Sequence, residues 1–198
     1  MDVSRCAAAV TGMAMARDPP HAVATAEATT IVLATERLIL RRFVVDDAPF
    51  IFELLNDPAW LRFIGDKGVK TLDDARSYMR KGPMAMYERV GFGLYLTELK
   101  EGGIPIGMCG LIKRDSLDDV DIGFAYLPEF RGQGYAHEAA TAMLAYGKDT
   151  VGLKRVVAIA SPDNVSSTRL LEKLGMKFTK TVKLAGDDDE LELYASDF

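Results

Sequence analysis

Leu127-Pro128-Glu129-Phe130-Arg131-Gly132-Gln133-Gly134-Tyr135-Ala136-His137-Glu138-Ala139 is the stretch that decides the fold. Before it, Val120, Ile122, Phe124 and Tyr126 alternate as in a half-buried strand. After it, Ala139, Ala140, Met143 and Leu144 recur at helical spacing. Strand, glycine-rich turn and helix together make an anion-binding arrangement. The first N–H groups of a helix have no intrahelical acceptor, and the helix dipole favours negative charge at that end. Glycine lets a pyrophosphate approach the backbone without interference from a Cβ. A tight strand–helix turn without a ligand would read the same from Gly132-Gln133-Gly134 alone. The loop has neither the lysine and Ser/Thr of a P-loop nor the third glycine of a dinucleotide fold.

Upstream, Arg37 to Phe43 alternates and predicts a first strand. Asp46, with Pro49 following in the first turn, opens a helix through Phe50, Ile51, Leu54 and Leu55, which ends near Asn56-Asp57-Pro58. Trp60 to Lys70 reads as a loop. Thr71 and Asp74 form a capping box for a second helix through Met79, interrupted at Gly82-Pro83, with a further turn or short helix over Met84 to Glu88. Three alternating runs, around Leu94, Ile106 and Ile122, predict an antiparallel meander. Downstream, Val156 to Ile159 is a strand, Asp163-Asn164 caps a helix ending at Gly175, and two strands flank the acidic turn Gly186 to Glu190. The expected order is β-α-α-β-β-β-α-β-α-β-β: an α/β (α+β) domain with a mixed, mostly antiparallel sheet of about seven strands.

The 198 residues suit one domain over 34–198, preceded by an alanine-rich extension over 1–33. Arg5, Cys6 to Val10 and Ala14-Met15-Ala16 also sketch a weak secretory signal, but the apolar segment is short, and an N-terminal extension is the favoured reading. A net charge of −5 gives no reason to expect nucleic acid as partner and favours cationic substrates such as amines. Cys6 and Cys109 are expected to be free thiols in a reducing, cytoplasmic setting. His21 and His137 have no ligand spacing around them, so no metal is expected. No apolar run nears bilayer length, and no membrane partner is expected.

Several segments, in register, resemble the GNAT acetyltransferases of the RimJ/RimL type. Arg131-x-x-Gly134-x-Ala136 is similar to their coenzyme signature, Thr35 to Arg41 to their opening strand, and Ile106 to Gly110 to their central strand. Asp121-Ile122-Gly123-Phe124 is similar to their E-I-G-Y segment, and Asn164-x-x-Ser167 with Leu170 to Gly175 to their last helix. The resemblance covers roughly residues 35 to 196. It implies the GNAT fold and transfer of acetyl from acetyl-CoA to a primary amine in a ternary complex, without metal. The implied acceptor is a protein or peptide N-terminus. A small-molecule amine is the alternative, and a non-catalytic acyl-CoA-binding module is the reading from another class. A monomer or homodimer is expected.

The residue roles come from the same resemblance. Gly132, Gln133, Gly134, Tyr135 and Ala136 would hold the pyrophosphate through backbone N–H groups, with Arg131 as a phosphate contact. Backbone groups at Phe124, Ala125 and Tyr126 would meet the thioester carbonyl, at a bulge that splays two strands. Asn164 would neighbour the pantetheine arm. Asp121 stands where the family often has glutamate and is the candidate general base, with Asp119 and Glu129 behind it; the plain alternative is a salt-bridged aspartate near a strand end. Many GNAT enzymes have a tyrosine at the position of Leu171, and leucine cannot replace its hydroxyl. Ser167 is the implied partner of the departing thiolate. Trp60, Phe63 and Tyr87 could line the acceptor site or simply pack in the core.

Overall fold

The computed structural model describes residues 29–183 and 190–198. Cys6, His21, the signal-like stretch and most of the acidic turn lie outside the described residues. One eight-stranded sheet runs in the order β1-β2-β3-β4-β5-β6-β8-β7. Its strands are β1 Ile31–Ala34, β2 Leu38–Arg41, β3 Leu94–Leu99, β4 Pro105–Ile112, β5 Val120–Tyr126, β6 Arg155–Ala160, β7 Lys177–Val182 and β8 Leu191–Asp197. Every pair is antiparallel except β5 with β6. The mixed, mostly antiparallel α/β architecture expected from the sequence is present, with one strand more than the seven expected. The addition is β1, which pairs with β2 and carries the ordered domain back to Ile31, inside the segment assigned to the extension.

The meander forms because β4 is apolar on both sides. Ile106 and Met108 project to one face, Cys109 and Leu111 to the other, and all are at most 1% exposed. Helix α5, Tyr135–Tyr146, covers the second face through Ala139, Ala140, Met143 and Leu144, the four positions its spacing predicts. A wide turn, Gly147–Val151, extends it, and a Cβ on Gly147 would lie 3.3 Å from Leu111. Truncating a side chain as enclosed as Leu111 to alanine costs about 2–5 kcal/mol.

On the first face lies α1, Ala48–Leu55, packed on α3, Leu72–Met79. Asp47, not Asp46, precedes α1 and is spent on the sheet. Its carboxylate takes both Nη atoms of Arg41 at 2.8 and 2.9 Å, while Arg41 Nε reaches Glu98 at 2.8 Å. Burial of this ion group is tolerated because each guanidinium nitrogen of Arg41 meets a carboxylate or carbonyl oxygen. The Thr71–Asp74 capping box is formed at both of its bonds. One further expectation changes here. Residues 58–63 form α2, Pro58–Phe63, rather than loop, because Asp57 caps Ala59 and Trp60 with Pro58 at the first position. The second helix, α3, ends at Met79 as expected, and the interruption at Gly82-Pro83 is a wide turn, Arg80–Met84, that leads into the expected short helix, α4, Ala85–Val90.

Candidate functional site

The site is built on the one parallel join. β5 and β6 pair only through Val120–Val156 and Asp121–Val157. Beyond Asp121 the two strands diverge, leaving a V whose apex is Asp121. The loop after β5 and helix α6, Val165–Lys173, after β6 stand at its open end. The expected bulge is not what opens it, since the β4–β5 register runs without a shift from Gly107–Tyr126 to Ile112–Asp121. The opening comes from loss of pairing with β6.

That register also fixes which backbone groups face the cleft. Leu127 N–H donates to Ile106 O at 3.0 Å. Hydrogen-bonded residues alternate along an antiparallel pair, so Ala125 and Gly123 turn their N–H groups to β4. Phe124 and Tyr126 turn theirs to the side without a partner strand. Of the three backbone candidates, Ala125 is therefore the one facing away. The Tyr126 side chain lies in the core against Gly107, where a Cβ would come within 2.4 Å of its ring, and burial pushes its phenol well above the ordinary value. Only its backbone borders the V.

At the open end, Gly134 takes the N-cap position of α5 with φ 83°, and no side chain caps the first turn. Gly132 has φ 74°, and a Cβ placed on it would meet nothing within 4 Å, so this backbone lies open. Gly134, Tyr135 and Ala136 thus present first-turn N–H groups that no side chain caps, with Gln133 just before them, an arrangement that fits a pyrophosphate. Gln133 Nε2 holds the loop by donating to Glu129 O at 2.6 Å. Arg131 is engaged elsewhere: Nη2 meets Asp57 Oδ1 at 2.5 Å and Nε donates to Tyr126 O at 2.8 Å.

Sequence reasoning missed the brace on this loop. Glu138, in the first turn of α5, accepts the Thr35 hydroxyl at 2.6 Å, the Arg37 N–H at 2.8 Å and Arg37 Nε at 2.7 Å. Arg37 also donates to Gln133 O at 3.1 Å and lies 4.4 Å over the Tyr135 ring. The Thr35 to Arg37 turn thereby clasps the start of α5. The acidic residue in that first turn was the available signal.

Asp121 points to the face of α1 and α3, on the register row of Gly123, Ala125 and Ile112. It is 1% exposed. Burial raises its carboxyl to about 6, against the opposing pull of Arg114, whose Nε sits 2.9 Å from Oδ1. Both readings of Asp121 thus meet in one residue, a salt-bridged aspartate at the apex of the cleft. Asp119 pairs with Arg155 at 3.3 Å and Glu129 is exposed on its turn.

Across the V, Asn164 Oδ1 accepts the Ser167 N–H at 3.2 Å, so Asn164 and not Asp163 caps α6. The Ser167 hydroxyl has no protein partner among the described residues. Leu171 is 1% exposed, in the core. Trp60 and Tyr87 are buried too; the Tyr87 hydroxyl binds Leu94 O and the Phe43 N–H. Cys109 is fully enclosed, and burial pushes its thiol up to about 12. His137 sits half-buried one turn into α5. Among the described residues, no three His, Cys, Asp or Glu side chains gather as a metal site, and no helix is long and apolar enough to cross a membrane.

Comparison with known proteins agrees with this geometry. A family model described as acetyltransferase (GNAT) domain matches residues 37–177. The uncharacterized N-acetyltransferase YnaD of Bacillus subtilis (strain 168) is 30% identical over 145 residues, 73% of this chain and 82% of that one. An acetyltransferase from Agrobacterium tumefaciens str. C58 superposes with a TM-score of 0.72 at 26% identity, over 84% of this chain and 94% of that one. RimL, described as a ribosomal L7/L12 alpha-N-protein acetyltransferase in complex with coenzyme A, gives a TM-score of 0.72 at 19% identity, over 85% and 98% of the two chains; that likeness is one of fold.

Proposed function

The chain belongs to the acetyltransferase (GNAT) family, an acyltransferase family that uses acetyl-CoA, and we propose that the amine it acetylates is the α-amine of a protein or peptide N-terminus. The observation that carries this reading is the buried carboxylate at the apex of the V, raised to about 6. A proton passing from an α-ammonium near ~8 to such a group climbs about 3 kcal/mol; from a lysine near ~10.4 it climbs about 6 kcal/mol. One base of this strength suits the first donor and not the second. RimL, whose fold is shared, is described as acting on a protein α-amine, which is consistent with the reading.

Acetyl-CoA, when bound, supplies an activated acyl carbonyl and a thiolate leaving group. The residues of the chain do the rest. The first-turn N–H groups of α5 and the backbone of Gly132 to Ala136 receive the pyrophosphate. From Tyr126 back to Asp121 is five residues, roughly 17 Å of strand, which spaces the phosphate site from the apex. The Phe124 and Tyr126 N–H groups both face the cleft, about 7 Å apart along the strand, so one of them meets the carbonyl oxygen as negative charge grows on it. Asp121 accepts one proton from the ammonium, which frees the nitrogen lone pair to bond the acyl carbon. As the C–S bond breaks, its electron pair stays on sulfur, where the Ser167 hydroxyl gives a hydrogen bond, and the second proton lost by the amine nitrogen ends on the product thiol.

An acceptor screen that follows free thiol release tests the proposal. Peptides with a free N-terminus should turn over at least tenfold faster than the same peptides blocked at the N-terminus but carrying lysine. Equal rates, or turnover confined to small-molecule amines, would overturn it. The protein is proposed to work in the cytoplasm, as a monomer or homodimer, with residues 1–30 outside the catalytic unit.

A further inference from the structure

Arg131 opens the coenzyme signature, yet two of its three guanidinium nitrogens are held by the protein. It joins three parts of the site. Nε grips the Tyr126 carbonyl at the open end of β5, Nη2 reaches Asp57, and its own backbone begins the phosphate loop. Asp57 is 7% exposed, and the same Oδ1 accepts the N–H groups of Ala59 and Trp60 at 3.0 and 3.2 Å. The N-terminus of α2 therefore hangs on the first residue of the coenzyme loop. α2 follows α1, on the side to which Asp121 points. Trp60, on α2, is 5% exposed, and its indole N–H has no partner among the described residues. A buried donor without an acceptor is unfavourable, so α2 has a polar reason to settle differently once its surroundings change.

We propose that Arg131 is a positioning residue rather than a phosphate ligand: through Asp57 it ties the position of α2, on the side to which Asp121 points, to the occupancy of the coenzyme loop. The proposal rests on residues 131–136 being the coenzyme loop, and does not depend on which amine is acetylated. A guanidinium that left Asp57 for a phosphate would leave that buried carboxylate with only the backbone N–H groups of Ala59 and Trp60. A guanidinium that stays on Asp57 transmits any shift of the loop directly to the cap of α2.

Trp60 is the only tryptophan in the chain, so tryptophan emission reports α2 alone. The experiment titrates coenzyme A into the full chain and follows heat and emission in parallel. In the wild type, the emission change and the heat should give the same Kd. Asp57→Asn keeps an oxygen for the cap and removes the charge; Arg131→Gln removes the guanidinium. In both, the emission change should fall by at least half, and in Asp57→Asn the calorimetric Kd should stay within about threefold of wild type. Arg131→Lys keeps the charge but cannot reach Asp57 and Tyr126 O together, and should behave as Arg131→Gln does; it carries the test if either other variant fails to fold. A tenfold or greater loss of affinity in Arg131→Gln and Arg131→Lys but not in Asp57→Asn would make Arg131 a phosphate ligand and overturn the proposal. So would an unchanged emission response in the variants, or no response in the wild type. Absence of binding heat in the wild type would overturn the loop assignment on which the proposal stands.

Discussion

The Arg114 guanidinium lies 2.9 Å from the Asp121 carboxylate, and that carboxylate is 1% exposed at the point where β5 leaves β6. Burial raises the acid and Arg114 restrains the rise to about 6. Asp121→Asn should lower kcat by roughly 10²-fold and remove the acidic limb of the pH–rate profile. Arg114→Gln, which withdraws the restraint, should move that limb to higher pH while leaving the base in place. An unmoved limb in both variants would assign the base to another group.

Ser167 should behave differently. Its hydroxyl is proposed to act on the departing sulfur, so Ser167→Ala should lower kcat without shifting the acidic limb. Asn164→Ala is the control for helix damage, since loss of that cap costs about 1 kcal/mol of stability. If Ser167→Ala alters the melting temperature and not kcat, the hydroxyl serves the helix alone.

Glu138 offers a test of the brace. Burial raises its carboxyl, and the Thr35 hydroxyl, the Arg37 N–H and the Arg37 guanidinium together lower it by more, leaving a net depression. A depressed carboxyl adds stability above its unfolded pKa of about 4.3 and loses it as pH falls through the folded value. Glu138→Gln should therefore melt about 2–6 °C below wild type at pH 7, with the gap closing below pH 4. A gap independent of pH would mean that shape, not charge, holds the turn.

Gly134 should tolerate no side chain. Its φ is 83°, and a Cβ would lie 3.3 Å from Arg37 Nη2. Gly134→Val should weaken acetyl-CoA binding at least tenfold, about 1.4 kcal/mol, with the fold retained. Unchanged affinity by calorimetry would move the phosphate site elsewhere.

Truncation distinguishes the extension from the sheet. A chain starting at Thr29 keeps β1 and should keep its melting temperature and turnover. A chain starting at Ala34 loses the pairing of Ile31 with Arg41 and Leu33 with Leu40, and should melt lower. Equal melting of the two would show β1 to be dispensable.

What could be read from the chain was what is local. The coenzyme loop, the Thr71 box, the Asn164 cap and the inward face of α5 each declare themselves within a few residues. β1 did not, because four residues at the end of an alanine-rich stretch are too few to establish a period. α2 left one signal, Asp57-Pro58, which is a helix start as readily as a helix end. The brace and the Arg131 link were out of reach for another reason. Glu138 stands 103 residues from Thr35, and Arg131 stands 74 from Asp57. No periodicity pairs residues so far apart; only the folded sheet brings them together. Asp121 was legible as a position but not as a chemical group, because its burial and its partner Arg114 set its proton affinity.

The two-pair join of β5 to β6 has a consequence for how the molecule comes apart. It divides the sheet into a five-stranded part, β1 to β5, and a three-stranded part, β6, β8 and β7. Few backbone bonds cross the seam, so the three-stranded part should exchange its amide hydrogens in a lower-energy opening of its own. A molecule lodged between the strands would bridge both parts and slow that exchange. Amide protection in β6 and β8 should then rise with coenzyme A concentration by the linkage relation, even at amides that coenzyme A does not touch. The cleft that receives the substrate is also the line along which the protein first yields.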